Sequence, residues 1–309
     1  MRYIIVLLLS FSFGFGFEYN LKPQKLKEGI YCFFGKLENI NKNNAGNIVN
    51  TCFVQTKEGF VVIDSGPTYD YAAQAYTQML KIENLPIKYV IITHDHDDHW
   101  QGNSFYKEEG ALLIGPRTYE QNIFKGMNTR MQRVLGKTLY GKTTIVKLDT
   151  VVDSNLSLIL GGKTFEIKQL ESIAHTKGDL IVYMPADKVV FAGDLVFNDR
   201  LTSLRDGSLL GSLKVLDTID TLDVKTIIGG HGYVTDVNAT KHLKQYLSTI
   251  KYEVQNALDN DISMEAVTKK VLMPQYKEMK LYDELHSRNV FDAYQELEMY
   301  DEEEEWKYF

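Results

Sequence analysis

The chain has 309 residues, of which 44% are hydrophobic and 24% are charged, and its formal net charge is −7 at pH 7. This composition is typical of a globular protein with enough apolar sequence for a large buried core. The excess of acidic residues is unfavourable for binding polyanions, so we expect no nucleic-acid partner.

The N-terminal stretch MRYIIVLLLSFSFGFGFEYN starts with one basic residue, Arg2, and continues with an apolar run and then small residues at Gly14 and Gly16. This order is typical of a secretory signal peptide, and we expect residues 1–16 to be removed on export to the periplasm or the medium. An uncleaved anchor and a buried first strand are the alternatives. No stretch after residue 20 is long and apolar enough to cross a bilayer, so we expect no stable membrane insertion after cleavage.

Two short strands are predicted at IYCFF and IVNTCFVQT, on either side of the turn-rich stretch ENINKNNAGN. They contain the two cysteines of the chain, Cys32 and Cys52. If the strands pair as a hairpin, the cysteines lie nearly opposite each other, and an exported protein would oxidise them to a disulfide. Two small buried thiols are the alternative, and the sequence leaves both open.

Strands and helices then alternate along the chain. The strand GFVVIDSG is followed by a predicted helix over 68–84, by the strand KYVIIT and by a short helical segment over 102–110. The strand ALLIG comes next, and residues 116–140 are predicted to be irregular helix. These elements make up one layered half of the protein.

A second run of strands begins at residue 144. The predicted strands are TIVKL, LSLIL, FEIKQLES, LIVYMP and VVFAG. A helix over about 209–221 and the strand KTIIGG follow, and helices occupy the rest of the chain. One apolar stripe of these last helices consists of Leu243, Leu247, Ile250, Val254 and Leu258. The order of elements indicates two similar layered halves.

Residues 93–103, THDHDDHWQGN, follow the strand KYVIIT and contain three of the seven histidines. His94 and His96 are two residues apart, so an extended segment points both side chains in the same direction. Asp98 and His99 come where the chain turns toward a helix, and they can face a second cation. Imidazole and carboxylate suit zinc, and also iron or manganese. An acidic loop with incidental histidines is the alternative, which the concentration of histidine disfavours.

Further residues of ligand type follow three later strands. His175 lies in LESIAHTKGDL, Asp194 in VVFAGDLVF and His231 in TIIGGHGYV. Functional side chains are commonly placed on the loops beyond the ends of strands. Each residue alone could be an ordinary turn or capping residue, but together with the first cluster they predict a metal centre.

The stretch THDHDDHWQGN resembles the His-x-His-x-Asp-His signature of the metallo-β-lactamase superfamily, and AHTKGD, FAGD and GGHG are similar to its later motifs, in the same order. The strand VVIDSG resembles the one whose acid, here Asp64, closes the first motif. The resemblance covers about residues 28–236. It implies an α/β fold, a four-layer αββα sandwich with two central sheets and metals along one edge. We therefore expect a catalytic domain over 17–237 and a C-terminal helical extension over 238–309, packed on the same domain.

The resemblance implies seven metal ligands for two zinc ions. One ion would be bound by His94, His96 and His175, the other by Asp98, His99 and His231, and Asp194 would bridge the two. Asp64 would support the metal-binding loop without touching metal. The remaining acids of the cluster, Asp95 and Asp97, fall at variable positions and are expected to be solvated. The histidines of the tail, His242 and His286, are expected to lie on the surface.

The activity that the resemblance implies is that of a hydrolase with two zinc ions per chain, acting on a small molecule. A hydroxide shared by the two ions would attack an ester, thioester, lactone or lactam, and Asp98 would orient it and help to move its proton. Iron or manganese would suit the same ligands. The sequence does not indicate the oligomeric state.

Within the superfamily, Asp194 argues against the class B β-lactamases, which have Cys or Ser at the resembling position. The acid is similar to that of glyoxalase II, but no confident match to the glutathione-binding residues of that branch lies in the helical tail. The leader, the segment HTKGDLIVYMPADKVVFAGDLVF and the terminal helices are most similar to exported zinc hydrolases of quinoprotein relay systems and sulfur oxidation. A class B-like β-lactamase and a mononuclear iron enzyme resembling persulfide dioxygenases are the alternatives.

Basic side chains are concentrated between residues 117 and 142, where Glu120 is the single acid. We expect an insertion near the metal edge, either a lid that attracts an anionic substrate or a basic helix face in solvent. The candidate substrate-binding residues are Arg117, Arg130, Arg133 and, in the loop after Asp194, Arg200.

Overall fold

The computed structural model describes residues 16–123, 129–171 and 173–300. The predicted signal peptide therefore lies outside the described residues, apart from Gly16. The described residues form two β-sheets that pack face to face, with helices on the outer face of each sheet. The predicted αββα sandwich of mixed α/β class is confirmed.

The first sheet has the strand order β1-β2-β3-β4-β5-β6-β7 within the described residues. Its strands are β1 Gln24–Lys27, β2 Ile30–Phe33, β3 Thr51–Gln55, β4 Phe60–Ile63, β5 Ile87–Ile91, β6 Leu112–Pro116 and β7 Thr150–Val152. Strands β1 to β4 pair antiparallel, whereas β4 to β7 pair parallel through helical connections.

The second sheet has the order β12-β11-β10-β9-β8 within the described residues. Its strands are β8 Asn155–Leu160, β9 Lys163–Gln169, β10 Leu180–Met184, β11 Val189–Phe197 and β12 Thr226–His231. Strands β11 and β12 run parallel, so their carboxyl ends lie at the same edge of the sheet.

Helices cover the outer faces and form the C-terminal part of the chain. In chain order they are α1 Tyr69–Leu80, α2 Asp97–Trp100, α3 Asn103–Glu108, α4 Arg117–Asn122, α5 Arg130–Tyr140, α6 Leu209–Asp220, α7 Lys241–Asp259, α8 Met264–Lys270 and α9 Tyr282–Glu298, with a short 3-10 turn at Pro274–Tyr276. Across the described residues, every helix is too short or too polar to cross a membrane.

The layering follows from the alternation of side chains along each strand. In β4, Val61 and Ile63 point into the core between the two sheets, whereas Phe60 and Val62 point outward beneath α1. Successive strand residues face opposite sides, so a strand that is apolar at every position is buried on both faces. The continuous apolar runs of the sequence are explained by this double burial.

The C-terminal helices bury their apolar stripe against the second sheet. Leu247 and Ile250 of α7 belong to the same core cluster as Val190 and Ile227 of the sheet. Leu243 and Val254 are also buried there, and Leu258 packs at the margin of the cluster. The predicted stripe is therefore core packing.

The prediction of a strand at TIVKL was wrong, because residues 144–148 form no ladder and the strand at this edge is β7. Apolar side chains of the segment do pack against the first half of the core. Its backbone groups bond to side chains instead: Glu120 Oε1 accepts from Leu148 N at 2.7 Å, and Tyr119 Oη donates to Val146 O at 2.7 Å.

The expectation for His286 was also wrong, whereas His242 is exposed as expected. His286 is buried between the C-terminal helices, where its Nε2 donates to Val271 O at 2.8 Å and its Nδ1 lies 3.1 Å from Tyr246 Oη. A polar residue on α9 faces inward because both of its ring nitrogens find partners there.

Cys32 and Cys52 lie directly opposite each other on β2 and β3 and form a disulfide, with the Cα atoms 4.0 Å apart. Both side chains are buried. The bond closes a loop with a sequence separation of 20 residues. It therefore limits the freedom of the unfolded chain around the turn-rich stretch that joins the two strands.

Replacing both cysteines with alanine is expected to lower the free energy of unfolding by about 2–4 kcal/mol, because the loop is no longer closed in the unfolded state. Urea unfolding followed by circular dichroism measures the change. The matched control is the wild-type protein under reducing conditions, which should lose a similar amount, whereas the variant should be insensitive to reductant. A variant as stable as the oxidised wild type would contradict this expectation.

Candidate metal centre

His94 and His96 follow β5, where the chain bends at residues 94–95 and is extended again at His96, directly before α2 begins. Their ring centroids are 4.8 Å apart, and His96 Nδ1 lies 2.9 Å from His175 Nε2. Asp194 Oδ2 lies 3.2 Å from His175 Nε2 and 3.6 Å from His94 Nε2. These four residues form what we call the first group, whose donor atoms all lie within 4.8 Å of one another.

Asp98, His99 and His231 form a second group, whose donor atoms also lie within 4.8 Å of one another. Asp98 and His99 lie in α2, and His231 is the last residue of β12. Asp98 Oδ2 is 3.5 Å from His231 Nε2 and 3.8 Å from His99 Nε2. The structure thus brings together all seven side chains that the resemblance implied, in the same two sets.

The Asp194 carboxylate lies between the two groups. Its Oδ2 faces the first group, whereas its Oδ1 lies 3.1 Å from His99 Nε2 and 3.4 Å from His231 Nε2 of the second group. Asp194 is buried near the middle of the long strand β11. One carboxylate therefore offers one oxygen to each group.

Hydrogen bonds to the far side of the histidine rings decide which nitrogens face this centre. His99 Nδ1 donates to Asp64 Oδ2 at 2.8 Å, and His231 Nδ1 donates to Ile48 O at 2.6 Å. In the neutral rings these bonds leave both Nε2 atoms as acceptors, directed at the oxygens of Asp194. Two lone pairs that face each other repel, so a cation between them is what this arrangement fits.

Three buried atoms at the centre make no hydrogen bond within the described residues: His94 Nε2, His99 Nε2 and Asp194 Oδ1. Buried polar atoms are almost always partnered, and unpartnered ones at one point need a reason. Nitrogen and carboxylate donors of this kind bind zinc and related transition metals. The residues present therefore fit a pair of metal ions.

Asp64 supports the metal-binding segment from β4. Its Oδ1 accepts from Thr93 N at 2.8 Å, while its Oδ2 accepts from Thr93 Oγ1 at 2.9 Å and from His99. A φ of +56° turns the chain just after the strand, a conformation that Asp tolerates better than most residues. The side chain fixes both the residue before His94 and the orientation of the His99 ring.

The buried histidines and carboxylates of the centre shift one another's pKa values. Burial lowers the pKa of His99, but the carboxylates of Asp194, Asp64 and Asp98 outweigh it and raise the pKa well above its usual value. Burial raises the pKa of Asp194, but the surrounding histidines, His231 first, hold it well below its usual value. Burial lowers the pKa of His94 and of His231 instead, so the carboxylates stabilise positive charge at only some of the histidines, and a metal ion can supply that charge in place of protons.

A cavity of about 620 Å³ opens onto both groups. Its walls include His96, Asp98, Asp194, His231, Ile48, Trp100, Phe197, Arg133, Arg200 and Arg205. This volume is in the range of pockets for small molecules. The candidate site is thus a small-molecule cavity with the two groups at its wall.

Two of the candidate substrate-binding residues, Arg130 and Arg117, form ion pairs with aspartates. Arg130, at the start of α5, places Nη2 2.7 Å from Asp98 Oδ1, and its Nε donates to Asp97 Oδ1 at 3.2 Å. Arg117 pairs with Asp153 at 2.5 Å, where both side chains are exposed and outside the cavity wall. Arg130 therefore anchors the insertion to the metal-binding helix.

Arg133 and Arg200 both line the cavity. Arg200 is buried, its Nη1 lies 3.4 Å from His231 Nδ1, and its guanidinium lies over the Phe197 ring at 5.6 Å. Among the described residues, no carboxylate forms an ion pair with Arg200. Burial lowers the pKa of Arg200 from its usual value. A buried guanidinium without an acid partner is costly unless a ligand compensates its charge.

The expectation that Asp97 is solvated was wrong. Its Oδ2 accepts from Met131 N at 2.6 Å, its Oδ1 accepts from Arg130, and the residue is buried beneath α5. Asp95 stays partly exposed and accepts from Asn122 Nδ2 at 2.6 Å. The partners of Asp97 lie more than thirty residues away in the insertion, so the local sequence gave no signal of its burial.

A further acid that the sequence analysis did not single out also reaches the site. Asp206, in the loop after β11, places Oδ2 3.2 Å from His96 Nε2. The two residues are 110 positions apart, so only the three-dimensional structure brings them together. The one available signal was the loop sequence NDRLTSLRDG directly after a motif strand.

Gly230 leaves the space that Asp194 occupies. A Cβ at this position would lie 2.0 Å from Asp194 Oδ1 and 3.0 Å from His99 Cε1. Gly230→Ala is therefore expected to displace the bridging carboxylate and to weaken metal binding roughly 10–100-fold, the scale seen when the support of a ligand is lost. Competition with a chromophoric chelator measures the affinity. The control Gly110→Ala lies at a φ of +86° and should lower stability, but its Cβ meets nothing within 4 Å, so the metal affinity of its folded form should be unchanged.

The described residues form a sandwich with histidines and acids gathered at one edge of both sheets, an arrangement that suits the binding of metal ions. The chain belongs to the metallo-β-lactamase superfamily, whose family model matches residues 45–231, or 187 of its 309 residues. The sequence-based prediction of the superfamily, and of a metal-dependent hydrolase within it, is confirmed.

The curated proteins that are similar to this chain include a metallo-beta-lactamase and a hydroxyacylglutathione hydrolase. A metallo-beta-lactamase type 2 of Elizabethkingia meningoseptica is 25% identical over 238 residues, which are 74% of this chain and 85% of that protein. A hydroxyacylglutathione hydrolase of Brucella anthropi is 28% identical over 169 residues, 54% of this chain. The matched part spans about half of that relative's length, 55%.

Solved structures show the same fold. A metallo-beta-lactamase from Pontibacter korlensis superposes with a TM-score of 0.59 at 21% identity, over 74% of this chain and 99% of that one. A stereoselective inverting sec-alkylsulfatase from a Pseudomonas species superposes with a TM-score of 0.65 at 16% identity, over 91% of this chain and 51% of that one. At these identities the likeness establishes the fold.

Proposed function

We propose that the protein is an exported hydrolase with two zinc ions per chain, which cleaves a small molecule at an ester, thioester, lactone or lactam group. The observation that carries this proposal is the position of Asp194, whose two oxygens face two different groups of donors. A carboxylate shared in this way suits two neighbouring cations rather than one.

Each group has the donor types that zinc prefers, namely histidine nitrogen and carboxylate oxygen. When bound, the pair of zinc ions would supply a hydroxide nucleophile at neutral pH and a Lewis acid for the developing oxyanion. The chain would hold the ions at the wall of the cavity, where Ile48, Trp100 and Phe197 add apolar surface for a substrate.

Asp98 is the candidate catalytic acid–base. Burial raises its pKa, but Arg130 in particular, with His99 and His231, holds the pKa well below its usual value, so the side chain is ionised at neutral pH. Its Oδ1 is fixed by Arg130, whereas Oδ2 faces Nε2 of His231 and of His99, the two histidines of the second group. The ionised carboxylate can therefore accept a hydrogen bond that orients the nucleophile, and it can help to move the nucleophile's proton toward the leaving group without retaining it.

Arg200 supports an anionic group on the substrate. Its guanidinium lines the cavity beside His231 and has no ion-pair partner among the described acids. A substrate carboxylate or comparable anion would compensate this charge and would place the scissile group near the metal pair.

The disulfide between Cys32 and Cys52 supports export, because such bonds persist in oxidising compartments such as the periplasm or the medium. The N-terminal sequence order supports the same location. N-terminal sequencing of protein secreted by a bacterial host is expected to give a mature chain that starts after residue 16. A chain that keeps residue 1 in the cytoplasm would contradict export.

Two other functions remain as alternatives. A class B-like β-lactamase activity is favoured by the relative from Elizabethkingia meningoseptica, which aligns over 85% of its length. A mononuclear iron enzyme similar to persulfide dioxygenases needs only the first group, whereas the second group of this chain is complete. Because both groups of donors are complete, we favour a hydrolase with two ions over the enzyme with one iron ion.

Metal analysis combined with a substrate panel tests the proposal. Protein purified without added metal is expected to contain about two zinc ions per chain, and a chelator is expected to abolish the hydrolysis of its substrate. The panel consists of β-lactams, thioesters and lactones. One iron ion per chain with no hydrolysis of any member would overturn the proposal in favour of the dioxygenase alternative.

A further inference from the structure

The loop that follows β11, residues 198–208, runs past His96 at the edge of the cavity. Asp206 Oδ2 lies 3.2 Å from His96 Nε2, while His96 Nδ1 lies 2.9 Å from His175 Nε2. One nitrogen of the His96 ring thus faces the first group, and the other faces a carboxylate. Asp206 therefore determines which nitrogen is available to an ion.

A metal-binding imidazole usually donates its second N–H to a carboxylate or a carbonyl, which fixes the tautomer and makes the ring a stronger ligand. In the second group, His99 has such a partner in Asp64. His96 has the equivalent partner in Asp206, which comes from the opposite half of the sandwich. Each group therefore has one histidine whose second ring nitrogen is paired with a carboxylate outside the group.

The same loop also braces His175. Ser208 N donates to Ala174 O at 2.7 Å, directly before His175 in the chain. A Cβ on Gly207 would lie 2.1 Å from Ala174 O, so the two backbones are in close contact. Two histidines of the first group are thus held by one loop, His96 through a side chain and His175 through the backbone.

The loop is in turn fixed by the C-terminal helix α9. Asn289 is fully buried; its Oδ1 accepts from Leu204 N at 3.0 Å and its Nδ2 donates to Thr202 O at 2.9 Å. The carboxylate of Glu296 accepts from Ser208 Oγ at 2.6 Å and from the first backbone amide of α6. Contacts on both sides of Asp206 therefore hold its position relative to His96.

We propose that Asp206 is a positioning residue for His96, and that it sets the affinity of the first group for its ion. The inference rests on the proposed function, since it requires that the first group binds metal. Asp206 is 44% exposed and its partner Arg205 is 58% exposed. An ion pair at this exposure contributes little to the stability of the fold, so an effect of Asp206 on metal binding is separable from an effect on folding.

The experiment compares Asp206→Ala, Asp206→Asn and a matched control, Asp223→Asn, whose exposed acid pairs with Lys188 and does not line the cavity. Zinc affinity is measured by competition with a chromophoric chelator, and the melting temperature is measured on the metal-free proteins. A visible spectrum of each cobalt-loaded protein reports the ligand geometry independently of activity.

Asp206→Ala is expected to weaken the binding of one of the two ions roughly 10–100-fold and to change the cobalt spectrum. Asp206→Asn is expected to lose less, because its amide oxygen still accepts the His96 proton. The control should match the wild type in affinity and spectrum, and all metal-free proteins should melt at the same temperature.

An Asp206→Ala protein with wild-type affinity and spectrum would overturn the inference while the wild type still binds two ions, which leaves the proposed function in place. A loss of affinity that is matched by an equal loss in the control, or by a lower melting temperature of the metal-free variant, would overturn it as well. A wild-type chain that binds no metal would overturn both the inference and the proposed function.

Discussion

Asp194→Asn is expected to leave about one ion bound per chain and to lower kcat/KM by more than roughly 100-fold, because loss of a ligand should exceed the cost of losing the support of one. Asparagine has the same shape but only one acceptor oxygen. Whichever group faces the amide nitrogen therefore loses its ligand. That nitrogen can also donate to His99 Nε2 or His231 Nε2, atoms that Asp194 Oδ1 now faces at 3.1 and 3.4 Å, and this bond would compete with a cation.

Metal analysis after gel filtration and steady-state kinetics on the best substrate of the panel measure the two effects. Asp220→Asn is the matched control, since Asp220 accepts from Thr240 and Lys244 beside α7 and lies outside the cavity wall. It should keep both ions and full activity. Two firmly bound ions in Asp194→Asn would show that Asp194 does not bridge the groups.

Asp98→Ala is expected to lower kcat by roughly 10²–10⁴-fold, the range for removal of a general acid–base, with a much smaller change in KM. The carboxylate of Asp98 belongs to the second group, where Oδ2 lies 3.5 Å from His231 Nε2, and it lines the cavity. Its ion-pair partner Arg130 lies on the insertion. Loss of the side chain removes the candidate proton acceptor and also one donor of the second group, so kcat is compared only in samples loaded with the same amount of metal.

Asp98→Asn separates the proton-transfer role from the anchoring of Arg130. Its amide oxygen can still accept the hydrogen bond that Arg130 now makes to Asp98 Oδ1 at 2.7 Å, but the side chain can no longer accept a proton. Both variants are assayed at saturating zinc, with the bound metal counted in the same samples. Wild-type kcat in either fully loaded variant would remove Asp98 from the mechanism.

His94 follows β5 and His231 ends β12, whereas Asp194 was expected just beyond its strand and lies within β11. All three could be predicted from the sequence as candidate ligands because their signal is local. His94, Asp194 and His231 each accompany a continuous apolar run, and strands buried on both faces are recognisable by such runs. Parallel pairing of β11 with β12 then brings their polar residues to one edge of the sheet. Residue types and their positions beside apolar runs therefore predicted a candidate metal centre, whereas the assignment of each ligand followed from the resemblance to the superfamily.

Contacts between distant segments could not be predicted in this way. The ion pairs of Arg130 with the two acids of α2 depend on where the insertion lies, and the contact of Asp206 with His96 depends on how the two halves pack. The segment 144–148 shows a related limit, because its apolar residues are buried but its backbone finds side-chain partners instead of a strand. Periodicity indicates burial, and it does not indicate which backbone groups will pair.

The origin of the donor atoms has a thermodynamic consequence. His94, His96, Asp98 and His99 extend from the first sheet, whereas His175, Asp194 and His231 extend from the second. An ion held by both sets is a cross-link that exists only in the native state, so metal occupancy adds to the work needed to separate the sheets, by about 4 kcal/mol at a free concentration a thousand times the Kd. The resistance of this protein to heat and to proteases would then follow the supply of metal in its surroundings.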